Sequence, residues 1–396
     1  MTSSTENTLA TDAPHVAEQP ALLLGSFPLG PITLENRVVV SPMSMYSAHD
    51  GHASDFHLVH LGRFALGGAG AIMLEVTAVS ERGRGTAGCL GIWSDAHIPG
   101  LRRIATFVNA NGAIPGIQLG HSGPKGSSQR PWHGMGPLGP ADATERGESP
   151  WPLVSSTDAP FGPGWETPAA ATHNSIRELV DDFRMGARRA LQAGFRIVEL
   201  HCAHGYLLHS FLSPLVNQRT DEYGGSLQNR MRLPLQVVEA VKQELGDAAA
   251  LVVRVSSVDG VDVGWSLADS VVFARELAKH GVHAVACSSG GIPLPKQHVL
   301  PARSPGFQVP FAHAIRQEAG LPTIAVGLIR DAAHAESVLQ QGSADLIALG
   351  REMLWNPNWP AQAAVELSGT EGWKRWPEQF GWWLERRDRL YRKKPS

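Results

Sequence analysis

The chain is expected to fold as one (β/α)8 barrel, on three grounds. Eight short apolar runs suit buried parallel strands, amphipathic stretches of helical period separate most of them, and 396 residues is a length that an α/β barrel commonly fills as a single domain. In order, the runs are "RVVVS" at 37, "AIMLEVT" at 71, "IPGIQL" at 114, "RIVELH" at 196, "LVVRVS" at 251, "AVACSS" at 284, "PTIAVG" at 322 and "DLIALG" at 345. The first holds three consecutive valines, whose branched Cβ atoms suit an enclosed pleated strand. Between the runs, "SIRELVDDFRMGARRALQAG" and "SLADSVVFARELAKHG" repeat apolar residues at helical spacing, the second opening on a Ser cap and closing at Gly281.

Three segments stand apart from this alternation. Residues 1–20 are polar, lack the basic start and apolar core of a secretory signal, and read as a loose tail. Residues 122–174, within a barrel spanning 21–368, are rich in Pro and Gly and carry Trp132, Trp151 and Trp165. That is too long for an ordinary connection, and it reads as a lid or a mobile insertion. The tail 369–396 holds four of the eleven tryptophans beside many charges, a composition suited to docking on a neighbouring subunit.

Composition narrows the function. A net charge of −3 gives no basic surface for nucleic acid, and no apolar run reaches the roughly 18 to 20 residues that a membrane-spanning helix needs. Cys89, Cys202 and Cys287 are scattered, which argues against a disulfide framework, fits a reduced cytoplasm, and leaves too few thiolates for an iron–sulfur cluster.

In such a barrel, chemistry belongs at the C-terminal ends of the strands. The first run ends in "SPMSMYS", where Pro42, Met43, Ser44 and Tyr46 replace the usual turn residues. The third ends at Gln118, and the fifth places Arg254 inside an apolar strand, where it needs a carboxylate such as Glu75 or Glu199, or an electron-rich ligand edge. The fourth run leads into "HCAHGY", with His201, His204 and Tyr206 together at the strand mouth. After the seventh and eighth runs come Gly327, Gly350 and Arg351, where barrels often hold phosphate. A phosphate anchor, a polar ring and a His/His/Tyr group fit flavin mononucleotide. The competing reading of these residues is a metal site using the two imidazoles of "HCAH", with Glu75, Glu199 or Asp259 completing it.

The sequence also resembles the old yellow enzyme family of FMN-dependent ene-reductases, in its bacterial xenobiotic-reductase and thermophilic-like branch. The matching pieces are "LENRVVVSPMSMYS", "GAGAIMLEVTAV", "GIWSDAHI", "PGIQLGHSG", "HCAHGYLLHSFLSPLVNQRTDEYGGSLQNR", "RVSS", "AVGLI" and "LGRE", in order from about residue 22 to 386. The string "NQRTDEYGGSLQNR" is the most specific, and physically it reads as a loop whose Gly224-Gly225 turn feeds a helix capped at Ser226.

The resemblance implies that Pro42, Met43, Ser44, Val76, Gln118, Arg254, Gly327, Gly350 and Arg351 surround FMN. It implies that His201 and His204 hold a substrate oxygen, that Tyr206 donates the proton, and that Tyr46 lines the substrate pocket. NADPH or NADH would be the reductant and activated alkenes the substrates, in a homodimer or homotetramer in which Trp383, or Trp382 or Phe380 in its place, reaches a neighbour's site. No resident metal is implied. Ser44 departs from the cysteine common at this position, which removes thiol-based tuning. An FMN barrel that oxidises amines or other donors is the nearer alternative activity, and a metal-dependent hydrolase the more distant one.

Overall fold

Each of the eight apolar runs forms a strand, because β-branched and aliphatic side chains on both faces of a run can be buried only between a packed lumen and a ring of helices. In a computed structural model, which describes residues 21–293 and 300–392, the strands are β1 (Val38–Val40), β2 (Ala71–Ala78), β3 (Ile114–Gly120), β4 (Ile197–Cys202), β5 (Ala250–Ser256), β6 (Ala284–Ser288), β7 (Thr323–Ala325) and β8 (Leu346–Leu349). All neighbours pair in parallel, and the barrel closes where Ile347 and Leu349 of β8 face Val38 and Val40 of β1. The expected tail 1–20 lies outside the described residues.

An outer helix of nine or more residues follows each strand: α1 (Asp55–Leu66), α2 (Ile98–Ala110), α3 (His173–Ala193), α4 (Leu227–Leu245), α5 (Leu267–Lys279), α6 (Val309–Ala319), α7 (Ala332–Gln340) and α8 (Trp359–Ser368), with shorter helices, Leu207–Leu212 and Arg351–Trp355, before α4 and α8. The caps match the sequence reading. Ser266 accepts the Asp269 N–H at the start of α5, and Ser226 accepts the Asn229 N–H at the start of α4.

Strand parity divides the core in two. Val38, Val40, Ile72, Leu74, Val198, Leu200, Leu251 and Val253 pack outward against the helices, while Val39, Ala71, Met73, Ile197, Ala250 and Val252 point into the lumen. A hairpin, Phe27–Leu29 paired with Ile32–Leu34, adds Leu29, Ile32 and Leu34 to the lumen cluster and closes its lower end.

The register of β2 against β3 shifts between Leu74 and Val76, so that Val76 rather than Glu75 stands beside Gln118. This bulge turns Glu75 toward α1, where it lies 3.7 Å from His57 Nε2. The expectation of Glu75 as a partner for Arg254 inside the barrel is therefore corrected: one extra residue moved it to the other face.

The long connection from β3 to α3 is built from short elements. It contains the helix Pro140–Arg146 and the two-residue strands Val154–Ser155 and Ala169–Ala170, which pair in parallel. After α8, the chain runs through a 3-10 segment, Gly369–Arg375, into α9 (Glu378–Arg392). Among the described residues, no helix is long and apolar enough to cross a membrane.

Candidate active site

At the mouth of β4, His201 Nε2 and His204 Nδ1 lie 3.2 Å apart. Their partners assign the tautomers. His201 Nδ1 accepts the Ala203 N–H, so its hydrogen sits on Nε2. The Ser288 hydroxyl, at the end of β6, donates to the Val255 carbonyl at 2.9 Å, so at 2.9 Å it can only accept from His204 Nε2–H. His204 Nδ1 is then bare and accepts from His201. Tyr206 stacks on His201 with ring centroids 4.6 Å apart, which completes the group of three.

The loop that carries them is held in an unusual backbone state. His204 has φ +58°, a left-handed value rarely taken by a side-chain-bearing residue. Its N–H donates to Ser256 Oγ at 3.0 Å, and Lys125 Nζ donates to its carbonyl at 2.9 Å. Gly291 packs so closely that a Cβ there would lie 2.2 Å from His204 Cα. From behind, His209 Nδ1 accepts the Gly205 N–H, and Asp259 faces His209 while accepting from Ser213 and the Trp265 N–H. Asp259 thus supports the loop; among the described residues, the one group of three potential metal ligands is His173, Asp221 and Glu222, which includes neither imidazole.

Burial governs the proton affinities here. It holds His201 and His204 well below the ordinary imidazole value, with the Arg254 charge adding to the effect, so both rings are neutral. It raises the Tyr206 phenol, keeping it a proton carrier, and pushes the Lys125 ammonium down to about 8.

Two cavities meet at Arg254. One, of only about 20 Å³, lies in the lumen and reaches Pro42, Glu199 and Arg254; the other, a cleft of about 300 Å³, is lined by Arg254, Gln308, Gly327, Arg330, Gly350 and Arg351. Glu199 is bonded to Gln118 Nε2 at 2.6 Å, and the buried Arg254 Nε has no hydrogen-bond partner. A cleft whose wall combines Arg254, with its buried unpartnered Nε, Gly327, Gly350 and two further arginines suits an anionic, electron-rich group such as a flavin phosphate ester. Met43 borders the same place: a Cβ on Gly350 would lie 3.8 Å from its sulfur. Val76 sits beside Gly120 and His201.

The end of β1 is fixed by outside contacts. Glu75 accepts the Met45 N–H, and the Tyr46 carbonyl accepts from Arg130 Nε, holding Tyr46 at φ +52°. Burial raises the Tyr46 phenol to about 12, with a Ser44 hydrogen bond opposing the rise. From the 122–174 segment, Trp132 meets Tyr46 edge-on at 5.9 Å, and Phe161 lies over Lys125 Nζ at 4.8 Å. Trp383 is elsewhere: it is 67% exposed on α9, edge-on to Trp382.

The sequence reading passed over Lys125, Ser288, Gln308 and Arg330. Ser288 is the last residue of β6, one before the sixth run closes at Ser289, so the strand-end rule applied there would have found it. Lys125 carried a weaker signal, a lone cation in "HSGPKG" just beyond β3.

A protein-family model described as NADH:flavin oxidoreductase / NADH oxidase matches residues 23–369. The chain belongs to this family, that of old yellow enzyme. It is 41% identical over 351 residues to an NADPH dehydrogenase of Geobacillus sp. (strain WCH70), covering 88% of this chain and 95% of that one. Among solved structures it is similar to morphinone reductase, with a TM-score of 0.72 and 26% identity over 89% of this chain and 91% of that one. It is also similar to histamine dehydrogenase from Rhizobium sp. 4-9, with a TM-score of 0.73 and 27% identity over 87% of this chain, but it spans only 48% of that chain. Membership makes the chain an NAD(P)H-dependent flavin oxidoreductase on a (β/α)8 barrel.

Proposed function

We propose that the protein is an ene-reductase that holds FMN at the C-terminal mouth of the barrel and reduces the C=C bond of α,β-unsaturated carbonyl or nitro compounds. The observation that carries the reading is the His201, His204 and Tyr206 group, stacked and hydrogen-bonded, with His201 paired across the strands to Arg254, which lines the neighbouring cleft and keeps a buried nitrogen without a partner. Arg254, Gly327, Gly350 and Arg351 would hold the phosphate and ring edge, with Pro42, Met43, Ser44, Val76 and Gln118 around the ring. Bound there, FMN would supply hydride transfer, from NADPH or NADH to the β-carbon of the alkene.

The chain's own residues do the rest. His201 and His204 take the carbonyl or nitro oxygen between them, and a donor aimed at developing negative charge in a dry site is worth on the order of 3 kcal/mol. Their neutrality matters, since a neutral imidazole donates without surrendering its proton. Tyr206, kept protonated by burial, gives its proton to the α-carbon. Tyr46 and Trp132 bound the substrate space, and Trp383 of a second copy would close it, making the working unit a homodimer or homotetramer.

The test is the visible spectrum of the purified protein under anaerobic conditions. Flavin bands should bleach on adding NADPH and return on adding 2-cyclohexenone. Bleaching without return would reject alkenes of this kind as the acceptor, and a protein that neither contains FMN nor takes it up would reject the cofactor.

A further inference from the structure

Two neutral imidazoles can both donate to one substrate oxygen only if each carries its hydrogen on the nitrogen that faces that oxygen. His201 does so, because the Ala203 N–H fixes its hydrogen on Nε2. His204 does not: Ser288 spends its single hydroxyl hydrogen on Val255 and draws the imidazole hydrogen to Nε2, leaving Nδ1 bare toward His201. The resting pair therefore offers one donor and one acceptor, which suits the two rings bonded to each other and does not suit an oxygen that can only accept.

We propose that Ser288 is a positioning residue that sets which nitrogen of His204 bears its hydrogen and reverses the choice when substrate binds. With a carbonyl, nitro or phenolate oxygen between the imidazoles, the Ser288 hydroxyl turns from Val255 to donate to His204 Nε2, and His204 presents Nδ1–H beside His201 Nε2–H. One proton enters Nδ1 from water and one leaves Nε2 to water, so the ring is neutral before and after. The turn is short, because Ser288 Oγ is already 2.9 Å from both partners, and its place at the buried end of β6 leaves the hydroxyl rotation as the motion required. Low proton affinity of both rings, from burial and the Arg254 charge, keeps a doubly protonated imidazole from bypassing this choice. The inference rests on the proposed role of the two histidines as holders of the substrate oxygen.

The test is side-chain 15N NMR of the 15N-histidine-labelled holoenzyme, with His204 assigned by the signals lost in His204→Gln. In the free protein the His204 hydrogen should be on Nε2; when saturated with 4-cyanophenol as the ionised phenolate, it should be on Nδ1. Hydrogen on Nδ1 in the free protein, or on Nε2 in a complex whose His201 signals have moved on binding, overturns the proposal. Ser288→Ala should bind the phenolate roughly five- to tenfold more weakly, as expected for one lost hydrogen bond, and Ser288→Thr should recover the affinity; unchanged affinity in Ser288→Ala also overturns it. Failure of the wild-type holoenzyme to bind the phenolate, or binding that leaves both histidine signals unmoved, would instead overturn the oxygen-holding role, and the free-protein tautomer still reports on Ser288 alone.

Discussion

The lower and upper ends of the barrel are made by the same strands and the same inward-facing parity, yet they treat polar atoms in opposite ways. Along β4 the lumen side reads Ile197, Glu199, His201, and along β5 it reads Ala250, Val252, Arg254, Ser256. The lower layer joins Leu29, Ile32 and Leu34 of the hairpin in a purely apolar cluster. The upper layer is polar and only partly satisfied: Gln118 bonds Glu199, while Arg254 Nε and Ser41 Oγ have no partner. A buried polar group left unpaired costs about 1–3 kcal/mol, so this layer is the part of the barrel that a ligand can complete. The lower end holds the barrel together, and the upper end holds what the barrel works on.

The strongest way to test that division is Tyr206→Phe. The ring and its stacking on His201 are kept and one hydroxyl is lost, so melting temperature should change little. Return of the flavin bands with 2-cyclohexenone should slow by about 10³-fold, the middle of the range for a general acid, while bleaching by NADPH keeps its rate. Stopped-flow measurement of the two half-reactions checks this, and equal slowing of both would remove Tyr206 from the acid's role.

Leu34→Ala probes the opposite end. Leu34 is fully buried in the hairpin plug and lines the lumen cavity, so its loss should cost about 3 kcal/mol of stability, read from urea unfolding. Phenolate affinity of the folded fraction should stay within about twofold, because an apolar site away from the imidazoles couples weakly to them. A large loss of affinity at unchanged stability would break the comparison.

How far the sequence carried this picture depended on whether a feature was local. The eight strands were legible because each is a short apolar run of its own, and the His201, His204 and Tyr206 group because three reactive side chains fall within six residues of one strand end. Glu75 was misplaced because a bulge leaves no mark in composition: "AIMLEVT" reads as regular alternation, and only pairing against β3 shows Val76 taking the inward position. Ser288 and Lys125 were missed because their meaning depends on groups 84 and 79 residues away, at His204.

Glu75 also gives a prediction in pH. Burial pushes its carboxyl up from 4.5 to about 8, against the opposing N–H groups of Met45 and Tyr46. The folded state thus binds the proton more tightly than the unfolded chain. The stability this contributes is fully present below pH 4.5 and is lost as the pH rises through about 8, with a slope of at most about 1.4 kcal/mol per pH unit. Wild type measured against Glu75→Gln across that window should show the loss, and the variant should lack it; parallel curves would mean that Glu75 is ionised throughout.

The smallest effect asks whether being on the upper side is enough to make a residue functional. Ser226 opens α4 on the same side of the barrel as the imidazoles, in the segment most specific to the family, but its side chain does only one thing here: it accepts the Asn229 N–H at 3.2 Å. Ser226→Ala should therefore cost about 1 kcal/mol of stability, the usual loss for an N-cap. Phenolate affinity and both flavin half-reactions should be unchanged. If Ser226→Ala instead weakened phenolate binding at full stability, the α4 start would belong to the working end, and the boundary drawn by partnerless polar atoms would have to move outward from the lumen to the loops.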